Sequence, residues 1–159
     1  MAEFVANAVQ TVEPNQNVLL NDSIPCPHGY VIHRNGSGIL TLRGIVNNPC
    51  GCFARYTVTF NGNIGIPTGG TAPASIGVAL AIDGEPIQTS RALVTPAAAT
   101  EAAPSTENYF NVTSTATITV PKGCCYTVAV ENVSPAPDAT TPAPSINVIN
   151  ANLTVARTA

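Results

Sequence analysis

Apolar and polar residues alternate with a period of two along much of this chain. In 53–60, Ala54, Tyr56, Val58 and Phe60 share one side, and Phe53, Arg55, Thr57 and Thr59 share the other. In 124–131, Cys124, Tyr126, Val128 and Val130 oppose Cys125, Thr127, Ala129 and Glu131. Further on, Leu153 and Val155 oppose Asn152 and Thr154. Successive side chains of an extended strand point to opposite faces, so this period predicts half-buried β-strands. The pattern places ten strands, at 3–11, 17–20, 30–34, 38–44, 53–64, 75–82, 86–94, 107–120, 124–133 and 146–157. Thr recurs on the exposed-type faces, where a β-branched side chain suits a strand without adding charge.

Turn chemistry separates the strands. Breaks fall at Glu13-Pro14-Asn15-Gln16, Asn35-Gly36-Ser37-Gly38, Asn47-Asn48-Pro49, Asp83-Gly84-Glu85-Pro86 and Pro121-Lys122-Gly123. Each combines a residue that pre-sets or tolerates turn dihedrals with a Gly, Asn or Pro. Residues 95–106 (TPAAATEAAPST) and 134–145 (SPAPDATTPAPS) are rich in Pro, Ala, Thr and Ser and read as long, exposed, mobile loops. No internal repeat or second domain is visible. Many short strands without helices predict an all-β antiparallel sandwich, one domain over 1–159.

Composition adds an assembly argument. The 159 residues suffice for one core, since a domain of this size buries about 68–70% of its unfolded surface. Charged residues are only 9% of the chain and apolar ones 45%. A surface so poor in charge has little repulsion to keep copies apart. Part of it is therefore expected to be buried between subunits. The net charge is −3, and the six cations are scattered, with no basic cluster for phosphates. No nucleic-acid partner is expected. The opening MAEFVANAVQTV begins acidic and lacks a basic segment followed by an apolar one. No apolar stretch is long enough to span a bilayer. Cytoplasmic synthesis without a signal peptide and no membrane partner are the expectations.

The candidate chemistry is sparse. Five cysteines stand at Cys26, Cys50, Cys52, Cys124 and Cys125, an odd number that cannot all pair within one chain. The default is free, partly buried thiols. Cys26, Cys50 and Cys52 are the candidates for a disulfide formed after release. Cys26 and His28 with Cys50 and Cys52 have the donor chemistry for zinc, but Cys-x-Cys is not the usual knuckle spacing, and no metal is assigned. Cys124 and Cys125, adjacent on a strand, face opposite ways. One is expected in the core and one at an outer or subunit face, with Cys125 a candidate intersubunit contact. His28 and His33 are too few for acid–base proposals. Asp83 and Glu85, on an exposed turn, lack the contrast in surroundings that sets a catalytic acid against its base. No phosphate loop or nucleophile elbow is present. No catalytic residue and no cofactor are expected. Tyr109 and Phe110 are candidates for stacking on a sugar ring, or for core or trimer-axis packing.

The segments VALAIDGEPIQTSRALV, NYFNVTSTATITVPKGCCYTVAVENVS and INVINANLTVART, in that order, resemble the trimeric jelly rolls of the tumour-necrosis-factor and complement globular-head type. They are most similar to the C-terminal domains of bacterial collagen-like spore-surface glycoproteins and to phage structural relatives. The first hairpin carries Val78, Leu80, Ile82, Gly84 and Ile87, and the second carries Val120, Pro121, Gly123, Val128 and Asn132. The chain has no collagen-like Gly-X-Y stretch, and a stand-alone jelly roll suits a phage virion component such as a capsid decoration or fibre head. The resemblance implies a ten-stranded antiparallel jelly-roll sandwich and a homotrimer around a three-fold axis.

The function expected is structural and non-enzymatic, on the exterior of a phage virion or a spore surface. A glycan- or receptor-binding adhesin head, with host glycan as partner, is the alternative. Subunit core and trimer packing are assigned to Tyr56, Val58, Phe60, Val78, Leu80, Ile82, Phe110, Ile118, Tyr126, Val128, Leu153 and Val155. Residues 1–12 read as an anchoring or exchanged strand, able to reach a neighbour or another virion or coat protein by β-augmentation.

Overall fold

A computed structural model describes residues 1–24, 29–67, 75–96 and 109–159. Among them are β1 (Ala2–Ala6), β2 (Gln10–Val12), β3 (Asp22–Ile24), β4 (Val31–His33), β5 (Ile39–Arg43) and β6 (Phe53–Gly65). The rest are β7 (Ile76–Ile82), β8 (Glu85–Pro86), β9 (Ala92–Val94), β10 (Phe110–Pro121), β11 (Cys125–Asn132) and β12 (Ile146–Arg157), with a 3-10 turn at Gln88–Ser90. The strands make two antiparallel sheets. The first runs β10-β6-β12-β1-β3, with β2 also on β12. The second runs β4-β5-β11-β7-β8, with β9 also on β7.

The pairing is nested. β1 pairs the last strand, β5 pairs β11, β6 pairs β10, and β7 pairs β9. Consecutive long strands β5, β6 and β7, and then β10, β11 and β12, cross from one sheet to the other. A long hairpin wrapped in this way over two sheets is a jelly roll. The sandwich is therefore the expected all-β jelly roll, with twelve strands among the described residues rather than the ten expected.

The differences have local causes. Expected strand 3–11 is split into β1 and β2 because β12 bulges opposite the gap. Ala6 pairs Ala151 and Gln10 pairs Val148, and Asn150 between them has a φ of 52°. Expected strand 86–94 is broken by the 3-10 turn, whose Ser90 is buried. Segment 17–20 is not a strand but makes isolated bridges, Asn17 to Glu131 and Leu20 to Ser37. It passes between the sheets, bonding β11 through Val18 N–H to Val130 O (2.8 Å) and then β1 through Asn21 N–H to Val5 O (3.0 Å). Neither pairing lasts long enough to make a strand. The first part of expected strand 107–120 and most of loop 95–106 lie outside the described residues.

The core lies between the sheets. Tyr56, Phe60 and Ile118 from the first sheet meet Leu40, Leu42 and Leu80 from the second, all fully buried. Each such side chain contributes about 1.5–3 kcal/mol by leaving water. The fully buried Tyr56 spans the sandwich and donates its hydroxyl to Arg43 O at the end of β5 (2.5 Å). Residues 1–12 belong to the chain's own first sheet, with Ala2, Phe4, Ala6 and Val12 in the core. A strand exchanged between copies would occupy the same place in a neighbour's sheet, so exchange keeps these pairings.

Candidate functional site

The alternation that buries one side of β6, β10 and β12 presents the other side to the outside. Cross-strand register aligns these outward residues into rows. Thr115 lies beside Thr59, which lies beside Thr154, which lies beside Glu3. The next row is Thr113, Asn61, Asn152 and Val5. Asn111 and Asn63 face Ile149, and Thr117 and Thr57 face Ala156.

These side chains bond to one another. Asn61 Nδ2 donates to Thr113 Oγ1 (2.9 Å) and Asn111 Oδ1 (3.3 Å), and Asn111 Nδ2 donates to Asn63 Oδ1 (3.1 Å). Thr115 Oγ1 donates to Thr59 Oγ1 (3.2 Å), and Asn152 Nδ2 donates to Glu3 Oε1. The result is a Thr/Asn face poor in charge. Its charges are Glu3, tied to Asn152, and Arg55 near one end, with Asp22 bordering it on β3 beside Val5.

The outer face of the second sheet is different. Ala79, Ala81 and Ala129 lie in the middle of it, flanked by exposed Ile32, Ile39 and Leu93. Charged groups share or border it. Glu131 is buried, and burial first, then repulsion from Glu85, raises its carboxyl above the usual range. Asp83 accepts from Thr127 N–H (2.8 Å) and Oγ1 (2.9 Å). The alternation placed Glu131 on a solvent-type face; the structure buries it.

One end of the sandwich gathers the thiols. Cys52 precedes β6, and its carbonyl accepts Lys122 N–H from the β10–β11 turn (2.9 Å). In the same turn Gly123 N–H reaches Gly44 O (3.0 Å), and Gly44 N–H reaches Cys124 O (2.8 Å). Cys125 pairs Arg43. Cys50, Cys52, Cys124 and Cys125 are all free and exposed. This corrects the expectation of partly buried thiols and of a core position for one of Cys124 and Cys125. The β10–β11 turn lies beyond the end of the packed core, so neither side of the strand start faces it. Cys26 and His28, and with them the Cys26 pairing and the zinc constellation, lie outside the described residues. Among the described residues no group of three or more His, Cys, Asp or Glu side chains is arranged to hold a metal ion.

Of the residues assigned to packing, Tyr56, Val58, Phe60, Val78, Leu80, Ile118, Val128, Leu153 and Val155 are in the core of the single chain. Ile82, Phe110 and Tyr126 are half-buried, as is Tyr109. His33 packs edge-on against Phe4, with ring centroids 4.9 Å apart, and its Nε2 lies 3.0 Å from Ser37 O. Sequence reasoning missed the Thr/Asn rows, although the Thr-x-Thr-x-Thr-x-Thr spacing of 113–119 was the signal for them. It also missed the buried Asn132, whose role depends on loops remote in sequence.

No family model matches this chain. No curated protein matches it either. Among solved structures it is similar to the globular domain of zebrafish complement 1qA protein, with 14% identity, a TM-score of 0.49, and 96% of this chain and 94% of that chain covered. The jelly roll itself is defined by the nested strand pairing.

Proposed function

We propose that this protein is a structural, non-enzymatic jelly roll that works as a homotrimer, with the outer face of β10-β6-β12-β1 as its main contact surface. The observation that carries this is the depletion of charge on that face. Depletion of charge, more than bulk hydrophobicity, marks the centre of an interface. The second sheet's outer face has exposed Ile32, Ile39 and Leu93 but keeps charged groups within and around it. A Thr/Asn face can also trade hydrogen bonds with a neighbour at little desolvation cost, because its amides already pair with side chains of the same face. Placement on the exterior of a phage virion, or of a spore, is supported by the sequence resemblance, and immunogold labelling of intact particles tests it.

The test of the trimer is native mass by light scattering in reductant at micromolar concentration. The expected mass is that of three chains. Thr154→Arg, which puts a long charge on β12 at the middle of the face, should give a single chain, while Ile39→Arg on the second sheet should leave the trimer intact. A wild-type monomer sinks the proposal. An unchanged mass for Thr154→Arg, together with loss of signal on a glycan array that wild type binds, would make this face a sugar-binding surface instead.

A further inference from the structure

We propose that the end of the sandwich bearing Cys50, Cys52, Cys124 and Cys125 links this chain covalently to a second copy of itself through an intermolecular disulfide. Cysteine is among the most often buried residue types. Here four of the five are exposed and free, and two segments distant in sequence carry them to one end. The backbone bonds from Lys122 to Cys52 and between Gly44 and Cys124 hold the two segments against each other.

That end is braced. Arg43 donates to Gly29 O (3.3 Å), and Arg157 donates to Ile45 O (2.7 Å) while lying 4.2 Å from the centre of the Tyr30 ring. A fixed mount presents the thiols outward instead of letting them fold back.

Pairing within one chain does not account for the set. Cys124 and Cys125 are sequence neighbours at the start of β11, where successive side chains diverge. With five cysteines, any complete pairing inside a chain leaves one thiol over. The same end of a second copy offers a matching thiol, and a two-fold contact places like against like. The linkage does not depend on the trimer; where trimers form, it joins one trimer to the next.

The oxidant required is a low-molecular-weight disulfide. A protein thiolate attacks it, the disulfide S–S bond breaks, one small thiolate leaves, and a mixed disulfide remains. The thiolate of the second copy then attacks the protein sulfur of that mixed disulfide. A protein–protein S–S bond forms and the second small thiolate departs. Two protein thiols are oxidised and one small disulfide is reduced to two thiols.

The experiment takes the full chain, reduced and desalted, and incubates it with oxidised glutathione. Products are read on a denaturing non-reducing gel and by mass spectrometry of linked peptides. The expected product has twice the chain mass, disappears with dithiothreitol, and links peptides containing residues 50, 52, 124 or 125 on both sides. A variant with Cys50, Cys52, Cys124 and Cys125 all changed to Ser should keep the wild-type native mass in reductant and form no covalent dimer. The proposal is overturned if wild type ends as single chains with internal or glutathione-capped disulfides. It is equally overturned if the linked peptides contain only Cys26. Peptide mapping needs only wild-type protein, so the answer stands even if the variant fails to fold. Native mass in reductant reports on the trimer separately.

Discussion

Asn132 and Glu131 are neighbours at the end of β11, and both are buried polar residues. Asn132 is fully satisfied: its Nδ2 donates to Val12 O (2.9 Å) and Pro144 O (3.1 Å), and its Oδ1 accepts from Ser134 N–H (3.0 Å) and Oγ (2.6 Å). It ties β2 and the 134–145 loop to β11. Replacing it with Leu strands those partners without water, so Asn132→Leu should cost about 2–3 kcal/mol in denaturant unfolding. A change within experimental error would mean the loop rearranges to expose them. Glu131 works against the fold when ionised, because burial and then Glu85 raise its carboxyl above the usual value. The folded state thus holds the proton more tightly than the unfolded state does. This penalty is absent below the ordinary carboxyl value and grows as pH rises through the higher folded value. Glu131→Gln should therefore raise Tm over wild type at pH 7–8, with the two curves meeting near about pH 4. A gap that stays constant with pH would refute the assignment.

At the scale of elements, turn chemistry was the most legible layer. Asp83 and Gly84 both have positive φ (51° and 84°) and close the tight β7–β8 hairpin, as Asp-Gly does in a two-residue turn. Pro121-Lys122-Gly123 turns the chain with Cys124 N–H on Pro121 O (3.0 Å), but it carries it from β10 in the first sheet to β11 in the second, so the expected second hairpin is a crossing between sheets. The partner of that turn was not legible. Gly44 lies so close to it that an added Cβ would stand 1.9 Å from Pro121 O. Gly44→Ala must push the backbone away from the turn and should cost about 1–3 kcal/mol, with amide exchange quickening at residues 122–125. Unchanged exchange there would show that the turn yields freely. Loop 134–145 is exposed along most of its length, as its composition suggested, yet it contains local order. Thr140 and Thr141 donate side-chain and backbone bonds to Asp138, Thr140's hydroxyl contributing most, and hold its carboxyl down to about 2. Strand ends were less legible than turns, because β1 and β2 part company over a bulge in β12, a strand well over a hundred residues away.

At the scale of the whole molecule, the first strand pairs the last and the sheet is closed by contacts remote in sequence. Period-two alternation determined that the chain is all-β, which side of β6, β10 and β12 is buried, and hence that Tyr56, Val58, Phe60, Ile118, Leu153 and Val155 lie in the core. It did so because strand geometry alone fixes which side chains share a face. Alternation says nothing of which strand lies beside which. Only tertiary pairing set Thr115, Thr59 and Thr154 in one row, turning scattered threonines into a surface poor in charge. Only tertiary pairing brought Cys52 against the turn that carries Cys124, converting cysteines that read as unrelated into one thiol-bearing end. The same cause buried Glu131, since the partner beside it is the passing segment at Asn17. Local pattern therefore decided the faces, and neighbours distant in sequence decided what each face is for.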